Sequence, residues 1–222
     1  MEESIHKLIE GFRSFHNTWF AGDSELFDKL RHGQHPRACV ISCSDSRVDP
    51  AILLDTDPGD LFVIRNVANL VPPYEPDTRH HGVSAALEYA VTELGIGHLI
   101  LLGHSDCGGI KALMRRSAEE PAGQFLDPWL DLAEPAKLAV NASMTESPET
   151  TRCRACEEAS LILGLENLLT FPWVRERTGT GSLTLHAWYF HMPSVQLFRF
   201  DRDRNGFFRL DNNLLHPTGD QE

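Results

Sequence analysis

Two short segments hold the residues best able to do chemistry. Cys43-Ser44-Asp45-Ser46-Arg47 closes an apolar run, Ala38 to Cys43. If the segment stays extended, Cys43, Asp45 and Arg47 share a face, because alternate residues of a strand point the same way. A thiol, a carboxylate and a guanidinium converging at a strand's carboxyl end suit a ligand site, since ligands of parallel sheets bind there. Taken alone, the pentapeptide also reads as a buried cysteine beside a surface ion pair, or as a nucleophilic thiol with its activating cation. The second segment, His104-Ser105-Asp106-Cys107-Gly108-Gly109, follows the apolar run His98 to Gly103. The spacing sets His104 and Cys107 on one side of a turn, and both side chains suit zinc. The glycines allow close backbone approach, and their N–H groups lie where a helix begins, a place that attracts anions. His-x-x-Cys by itself is a weak pattern.

The combination carries more. Cys43, His104 and Cys107 all fall at carboxyl ends of strands expected to be parallel. Three N and S donors make a catalytic type of zinc site with one open position. Cys39 lies within its strand, and Cys153 and Cys156 lie far along the chain, so Asp45 is the one nearby group able to take the fourth position. Zinc in such a site acidifies its water and makes hydroxide available. Two thiolates cancel the metal's charge, so the water is less acidified than at a site of neutral ligands, which leaves work for surrounding groups. Asp45 can accept the hydroxide's hydrogen bond, and Arg47 can hold Asp45 off the metal by a charge-assisted pair.

The elements that must position these groups are legible in outline. Ile5, Leu8, Ile9, Phe12, Phe15 and Trp19 recur at helical spacing and predict a helix over Ser4 to Phe20. A short helix is expected over Asp23 to Arg31, with Asp23 or Ser24 as its cap and Gly33 past its end. Strands are expected at Ala38 to Cys43, Leu61 to Arg65, His98 to Gly103, Ser182 to His191 and Gln196 to Phe200. Helices are expected at Val83 to Leu94, from Ile110 to Arg116, at Trp129 to Met144 and at Arg154 to Thr170, with Thr145 to Thr151 a loop. Alternating strands and helices predict an α/β fold with a mostly parallel central sheet flanked by helices. The turn Arg204-Asn205-Gly206 adds a hairpin at one edge. The expected organisation is a single domain over residues 1–222, with residues 1–33 as an N-terminal helical arm.

Composition narrows the partners. With 20 basic and 32 acidic side chains the net charge is −12. Such a chain repels phosphate backbones, so neither nucleic acid nor an anionic membrane is an expected partner. No apolar run reaches a membrane span of roughly 18 residues, and the start lacks the basic and apolar pattern of a secretion signal, which gives a cytoplasmic expectation. Five cysteines, an odd number, argue against a disulfide framework.

These segments resemble the two signature motifs of the β-class carbonic anhydrases. Arg65-Asn66-Val67-Ala68-Asn69, Val71-Pro72-Pro73-Tyr74 and Ala85-Ala86-Leu87-Glu88-Tyr89-Ala90-Val91 are similar to further parts of that family, and the likeness runs from about Ile9 to about Phe208. The resemblance implies reversible hydration of carbon dioxide to bicarbonate and a proton, by attack of zinc-bound hydroxide. It implies one zinc per subunit on Cys43, His104 and Cys107, with Asp45 and Arg47 as a catalytic dyad. It also implies a substrate pocket of Gln34, Phe62, Val67, Tyr89 and Gly108, of the open, plant-like subgroup. The subgroup that closes its site with the aspartate carries a Trp where this chain has Val40.

There are departures. Asp49 stands where a Pro or small residue is common, one extra residue lies between Tyr74 and Tyr89, and Glu93 replaces an occasional proton-shuttling His. The shuttle is unassigned, with His80 and His81 as candidates. The aromatic face of the first helix implies packing on a partner subunit, as a homodimer or a dimer of dimers. Other readings are a related zinc enzyme acting on carbon disulfide or carbonyl sulfide, and a scaffold with structural zinc. The intact Asp45–Arg47 pair speaks against the scaffold. Cys153-Arg154-Ala155-Cys156 begins a helix, has no second Cys pair and bears no likeness to the family's site, which argues against a redox role.

Overall fold

The structure is a computed structural model that describes residues 2–19, 25–117 and 121–210. The chain divides into two compact units, Met1–His35 and Pro36–Glu222. In the first, α1 spans Glu2–Trp19 and α2 spans Glu25–Leu30. The apolar stripe expected on α1 is present, and Ile5, Leu8, Ile9 and Phe12 are exposed. Phe15 meets Phe27 of α2 edge-on, with ring centroids 5.7 Å apart. The expected caps of the second helix, Asp23 and Ser24, lie outside the described residues, as does Phe20.

The second unit is built on a six-stranded sheet among the described residues, in the order β2-β1-β3-β4-β5-β6. Its strands are β1 (Ala38–Cys43), β2 (Leu61–Asn66), β3 (His98–His104), β4 (Thr184–His191), β5 (Gln196–Asp201) and β6 (Gly206–Arg209). The first four strands in that order pair in parallel, and β5 and β6 add antiparallel at the edge. The sheet expectation therefore holds, hairpin included. From β1 the chain moves to β2 on one side and then to β3 on the other. That reversal leaves a crevice at the carboxyl ends of β1 and β3, the place where open parallel sheets bind ligands. Cys43 ends β1 and His104 ends β3.

Both faces of the sheet are covered, which is why β1 and β3 are continuous apolar runs. Cys39, Ile41, Leu99 and Leu101 pack with Leu87, Leu165, Leu168, Phe171 and Val174 on one face. Val40, Ile100 and Leu102 pack with Ile110, Leu113, Leu130, Ala133 and Val140 on the other. The covering helices are α4 (Gly82–Glu88), α5 (Gly108–Arg115), α6 (Leu126–Leu130), α7 (Glu134–Ser143), α8 (Glu149–Leu168) and α9 (Pro172–Gly179), and a short α3 (Pro50–Leu53) follows β1.

Four differences from the sequence reading have physical causes. The expected helix from Trp129 to Met144 is broken at Asp131–Ala133, just ahead of Pro135, which has no N–H to bond back to the Asp131 carbonyl and so sits in the first turn of a new helix. Helix α8 starts at Glu149, directly after Pro148, so Thr150 and Thr151 are helical and the Cys153–Cys156 pair lies within the helix. Helix α9 was not visible because it is polar, with Val174 its one buried residue. Helix α3 is too short to show a period; Asp49 caps it and Pro50 opens it.

Helix α8 lies very close to the sheet. A Cβ on Gly164 would sit 2.7 Å from Leu101 Cδ1, and one on Gly103 would sit 2.9 Å from Leu161 Cδ1. Two glycines, one on each surface, set the distance at which α8 rides over β3. Gly164→Ala is expected to lower stability by about 1–3 kcal/mol through overpacking, read as a lower denaturant midpoint with an unchanged m-value.

Candidate metal centre

Cys43, His104 and Cys107 come together as the sequence predicts. Their ligand atoms all lie within 4.8 Å of one another and all three residues are buried. The two sulfurs are 3.9 Å apart. Two sulfurs on one tetrahedral zinc, each at about 2.3 Å, stand about 3.8 Å apart, so the pair is already spaced for the metal. His104 fits as well. Its Nδ1 is 2.9 Å from the Ser105 carbonyl, and a carbonyl only accepts, so Nδ1 carries the hydrogen. That leaves Nε2 with a lone pair, and Nε2 is buried with no hydrogen-bond partner. A buried ring nitrogen without a donor beside a sulfur pair is what a zinc ligand looks like before the metal is added.

The backbone around the sulfurs lowers the cost of thiolate. The Cys43 thiol is drawn down to about 4 by the Cys107 sulfur, against burial, with His104 and the N–H groups of Asp45 and Ala68 acting in the same direction. Cys107 is pushed up by Cys43 and by burial, while the N–H groups of Ile110 and Gly109 pull the other way. Thiolate is thus favoured on one sulfur over its neighbour, and a divalent cation held by the pair would displace the remaining proton.

Each of those N–H groups is aimed by a specific device. Ala68 adopts a left-handed backbone, φ 63°. Asn66 clamps that turn by accepting from Leu70 N–H at 2.8 Å and donating to the Leu70 carbonyl at 2.9 Å. Gly109 lets α5 begin against this turn, since a Cβ there would lie 2.8 Å from Val67 Cγ1. Cys107 is the N-cap of α5. Its own N–H donates to Glu157 Oε1 at 2.9 Å, and Glu157 Oε2 accepts from the Tyr189 hydroxyl at 2.8 Å. Burial pushes the Glu157 carboxyl up, and these two donors offset part of that cost.

Asp45 and Arg47 pair, but not as the extended chain would have it. The strand ends at Cys43, and Val48 N–H donates to the Asp45 carbonyl in a tight turn. The turn folds Arg47 back over Asp45. Asp45 Oδ1 accepts from Arg47 N–H at 3.0 Å and from Nε at 2.9 Å, and Oδ2 accepts from a terminal guanidinium nitrogen at 2.6 Å. The Arg47 guanidinium holds the Asp45 carboxyl well below the usual carboxylate range. Asp45 Oδ2 remains 4.0 Å from His104 Nε2, beside the ligand cluster and not within it. Arg65 fastens the same loop, donating to the Cys43 carbonyl at 3.0 Å, the Asp45 carbonyl at 2.8 Å and Asp49 Oδ2 at 2.7 Å. Asp49, the departure noted in the sequence, thus has two tasks: it caps α3 and anchors Arg65.

Of the pocket residues, Phe62 and Tyr89 pack with ring centroids 6.0 Å apart. Tyr89 opens a wide turn in which Leu94 N–H reaches back to the Tyr89 carbonyl, a geometry found often at functional sites. Tyr89 is 46% exposed and Val67, in the turn after β2, is 40% exposed, high values for large apolar side chains. Gly108 opens α5 beside Cys107, with open space where a Cβ would lie. Gln34 belongs to the N-terminal unit and is exposed. His81 is held 2.6 Å from Asp77 at the start of α4. Cys153 and Cys156 are buried within α8, and burial pushes both thiols up, Cys156 to about 12, which removes the thiolate a redox role needs.

Sequence reasoning missed Glu157, Tyr189 and the role of Arg65. Glu157 had a readable sign: it shares the buried face of α8 with Leu161, Gly164, Leu165 and Leu168, where a carboxyl needs a reason.

Comparison with known proteins agrees with this geometry. Residues 38–197 match the family model described as carbonic anhydrase. A carbonic anhydrase of Synechocystis sp. is 36% identical over 217 residues, 96% of this chain and 78% of that one. A chloroplastic beta carbonic anhydrase of Arabidopsis thaliana is 39% identical over 184 residues, 83% of this chain, and the match spans 60% of the plant protein's length. The solved structure of the beta-carbonic anhydrase CcaA superposes with a TM-score of 0.88 at 33% identity, covering 95% of this chain and 93% of that one. A tetrameric beta-carbonic anhydrase of Sordaria macrospora gives 0.79 at 28% identity, covering 89% and 96%. With a family match over most of its length, and donors spaced for zinc, this chain belongs to the β-class carbonic anhydrases, zinc-dependent enzymes that hydrate carbon dioxide reversibly to bicarbonate.

Proposed function

We propose that this protein hydrates carbon dioxide at an open metal position, with Asp45 and Arg47 as its working dyad. The observation that carries the reading is the buried triplet Cys43, His104 and Cys107, with both Asp45 oxygens turned to Arg47. Zinc on that triplet supplies an acidified water as nucleophile. The chain's own residues then orient the reaction. Asp45 Oδ1 is saturated by two Arg47 donors, while Oδ2 has one and keeps a lone pair on the side nearer His104. An ionised Oδ2 accepts the nucleophile's hydrogen and turns its lone pair toward the substrate. Phe62, Val67 and Tyr89 supply an apolar wall suited to carbon dioxide, and Gly108 leaves room beside Cys107. The family resemblance gives Gln34 the role of amide donor to a developing bicarbonate oxygen.

Self-association is part of the same proposal. The exposed apolar stripe of α1 exceeds what a solvated helix needs, and a related enzyme is described as tetrameric. Among the described residues, no helix is long and apolar enough to cross a membrane, so that stripe is not a span.

Stopped-flow carbon dioxide hydration with a pH indicator tests the reading directly, and a rate no faster than buffer overturns it. Cys107→Ser is expected to lose both zinc, measured by elemental analysis, and activity. Asp45→Asn is expected to keep zinc and lose rate by about 10²-fold, the scale of one lost orienting group. Arg47→Ala is expected to keep zinc as well and to bring Asp45 onto the metal, visible in a crystal structure of the zinc-loaded variant. Removing residues 1–21 is expected to give weakly associating, poorly active protein on sedimentation, whereas a fully active monomer overturns the assembly.

A further inference from the structure

Asp106 lies between two metal ligands, His104 and Cys107, yet its side chain points elsewhere. Its backbone is left-handed, φ 64°, a conformation that aspartate tolerates better than most residues. In this pose its carbonyl accepts from an Arg47 terminal nitrogen at 3.2 Å, and its Oδ2 accepts from the other terminal nitrogen at 3.3 Å. Its Oδ1 is taken by the Lys111 ammonium. Lys111 is fixed in turn within the first turn of α5, where its N–H donates to the Cys107 carbonyl at 3.0 Å. Arg47 is thus gripped from two sides, by Asp45 and by Asp106. The chain Lys111–Asp106–Arg47–Asp45 runs from the start of α5 back to the end of β1.

The grip has a use. The Arg47 side chain is 49% exposed, and Asp45 is a carboxylate beside a divalent-cation site. A free guanidinium in water samples many rotamers, and each departure leaves Asp45 able to ligate the metal. A second anchor that leaves the Asp45-facing nitrogens in place shortens those departures. An ordinary exposed ion pair has no such consequence and contributes little.

We propose that Asp106, braced by Lys111, is a positioning residue that keeps Arg47 engaged with Asp45 and so sets how much of the enzyme has an open metal position. The proposal rests on the open-site reading above. Asp106→Gly tests it cleanly, because glycine takes a φ of 64° without strain and keeps the carbonyl contact. Asp106→Asn keeps an acceptor of the same shape without the charge. With zinc content equal to wild type, Asp106→Gly is expected to lose about tenfold in kcat/KM, and Asp106→Asn less. The double variant Asp106→Gly/Arg47→Ala is expected to be no slower than Arg47→Ala alone.

A second readout does not depend on turnover. In cobalt-loaded protein, thiocyanate competes for the open position and changes the visible spectrum. Its affinity is expected to fall in Asp106→Gly and to fall further in Arg47→Ala. Wild-type rate and thiocyanate affinity in Asp106→Gly overturn the proposal. So do losses that multiply in the double variant, or a loss of rate explained by lost zinc or a lowered Tm. If wild-type cobalt protein binds no thiocyanate, the open-site reading fails first; if wild type and Asp106→Gly bind it equally, only the role of Asp106 fails.

Discussion

The constraint on which the structure depends is the need to hold two cysteine sulfurs 3.9 Å apart in a buried place. Two thiolates repel there, and burial penalises each of them. The fold answers with backbone dipoles from separate elements. Asp45 and Ala68 N–H groups face the Cys43 sulfur, and those of Gly109 and Ile110 face the Cys107 sulfur. Each donor comes from a loop or helix start that would otherwise leave its N–H unmet. The left-handed Ala68 and the Asn66 clamp follow from this demand, because an extended chain at residue 68 would turn the donor away. The glycine at 109 follows too, since α5 could not otherwise start so near Val67.

Around the sulfurs lies a ring of side chains that work through backbone. Arg65 spends three donors on two carbonyls and one carboxylate. Glu157 is buried and accepts from one main-chain N–H and one phenol. A buried polar group left unmet costs roughly 1–3 kcal/mol, so these contacts bind the site to the sheet and to α8 at once. The close seating of α8 through Gly103 and Gly164 is then part of the metal site's architecture, because α8 carries Glu157 to Cys107.

The dyad shows how a weak type of interaction gains importance from its place. Arg47 is half exposed, and a surface pair of that kind is worth roughly 0.2–1 kcal/mol in stability. Its contacts decide something else: where the two oxygens of Asp45 point. With Arg47 occupying one oxygen twice and the other once, Asp45 is an acceptor facing the ligand cluster.

The sequence by itself determined which side chains gather as possible metal ligands. Ligand identity depends on residue type and on position after a strand, and both are local. The apolar runs Ala38–Cys43 and His98–His104 therefore located the strands almost to the residue, and Cys43, His104 and Cys107 followed from them. The tertiary structure decided what local pattern does not encode. Asp45 and Arg47 meet through a turn and not across an extended strand, because the strand's partners end at Cys43 and release the chain. Helices α3 and α9 stayed hidden because one is a single turn and the other buries one side chain, so neither has an apolar period to read. Glu157 reaches Cys107 from 50 residues away, and Arg47 reaches Asp106 from 59. Such contacts exist only once the sheet order is set and α8 is seated, since they join groups that the chain alone keeps apart.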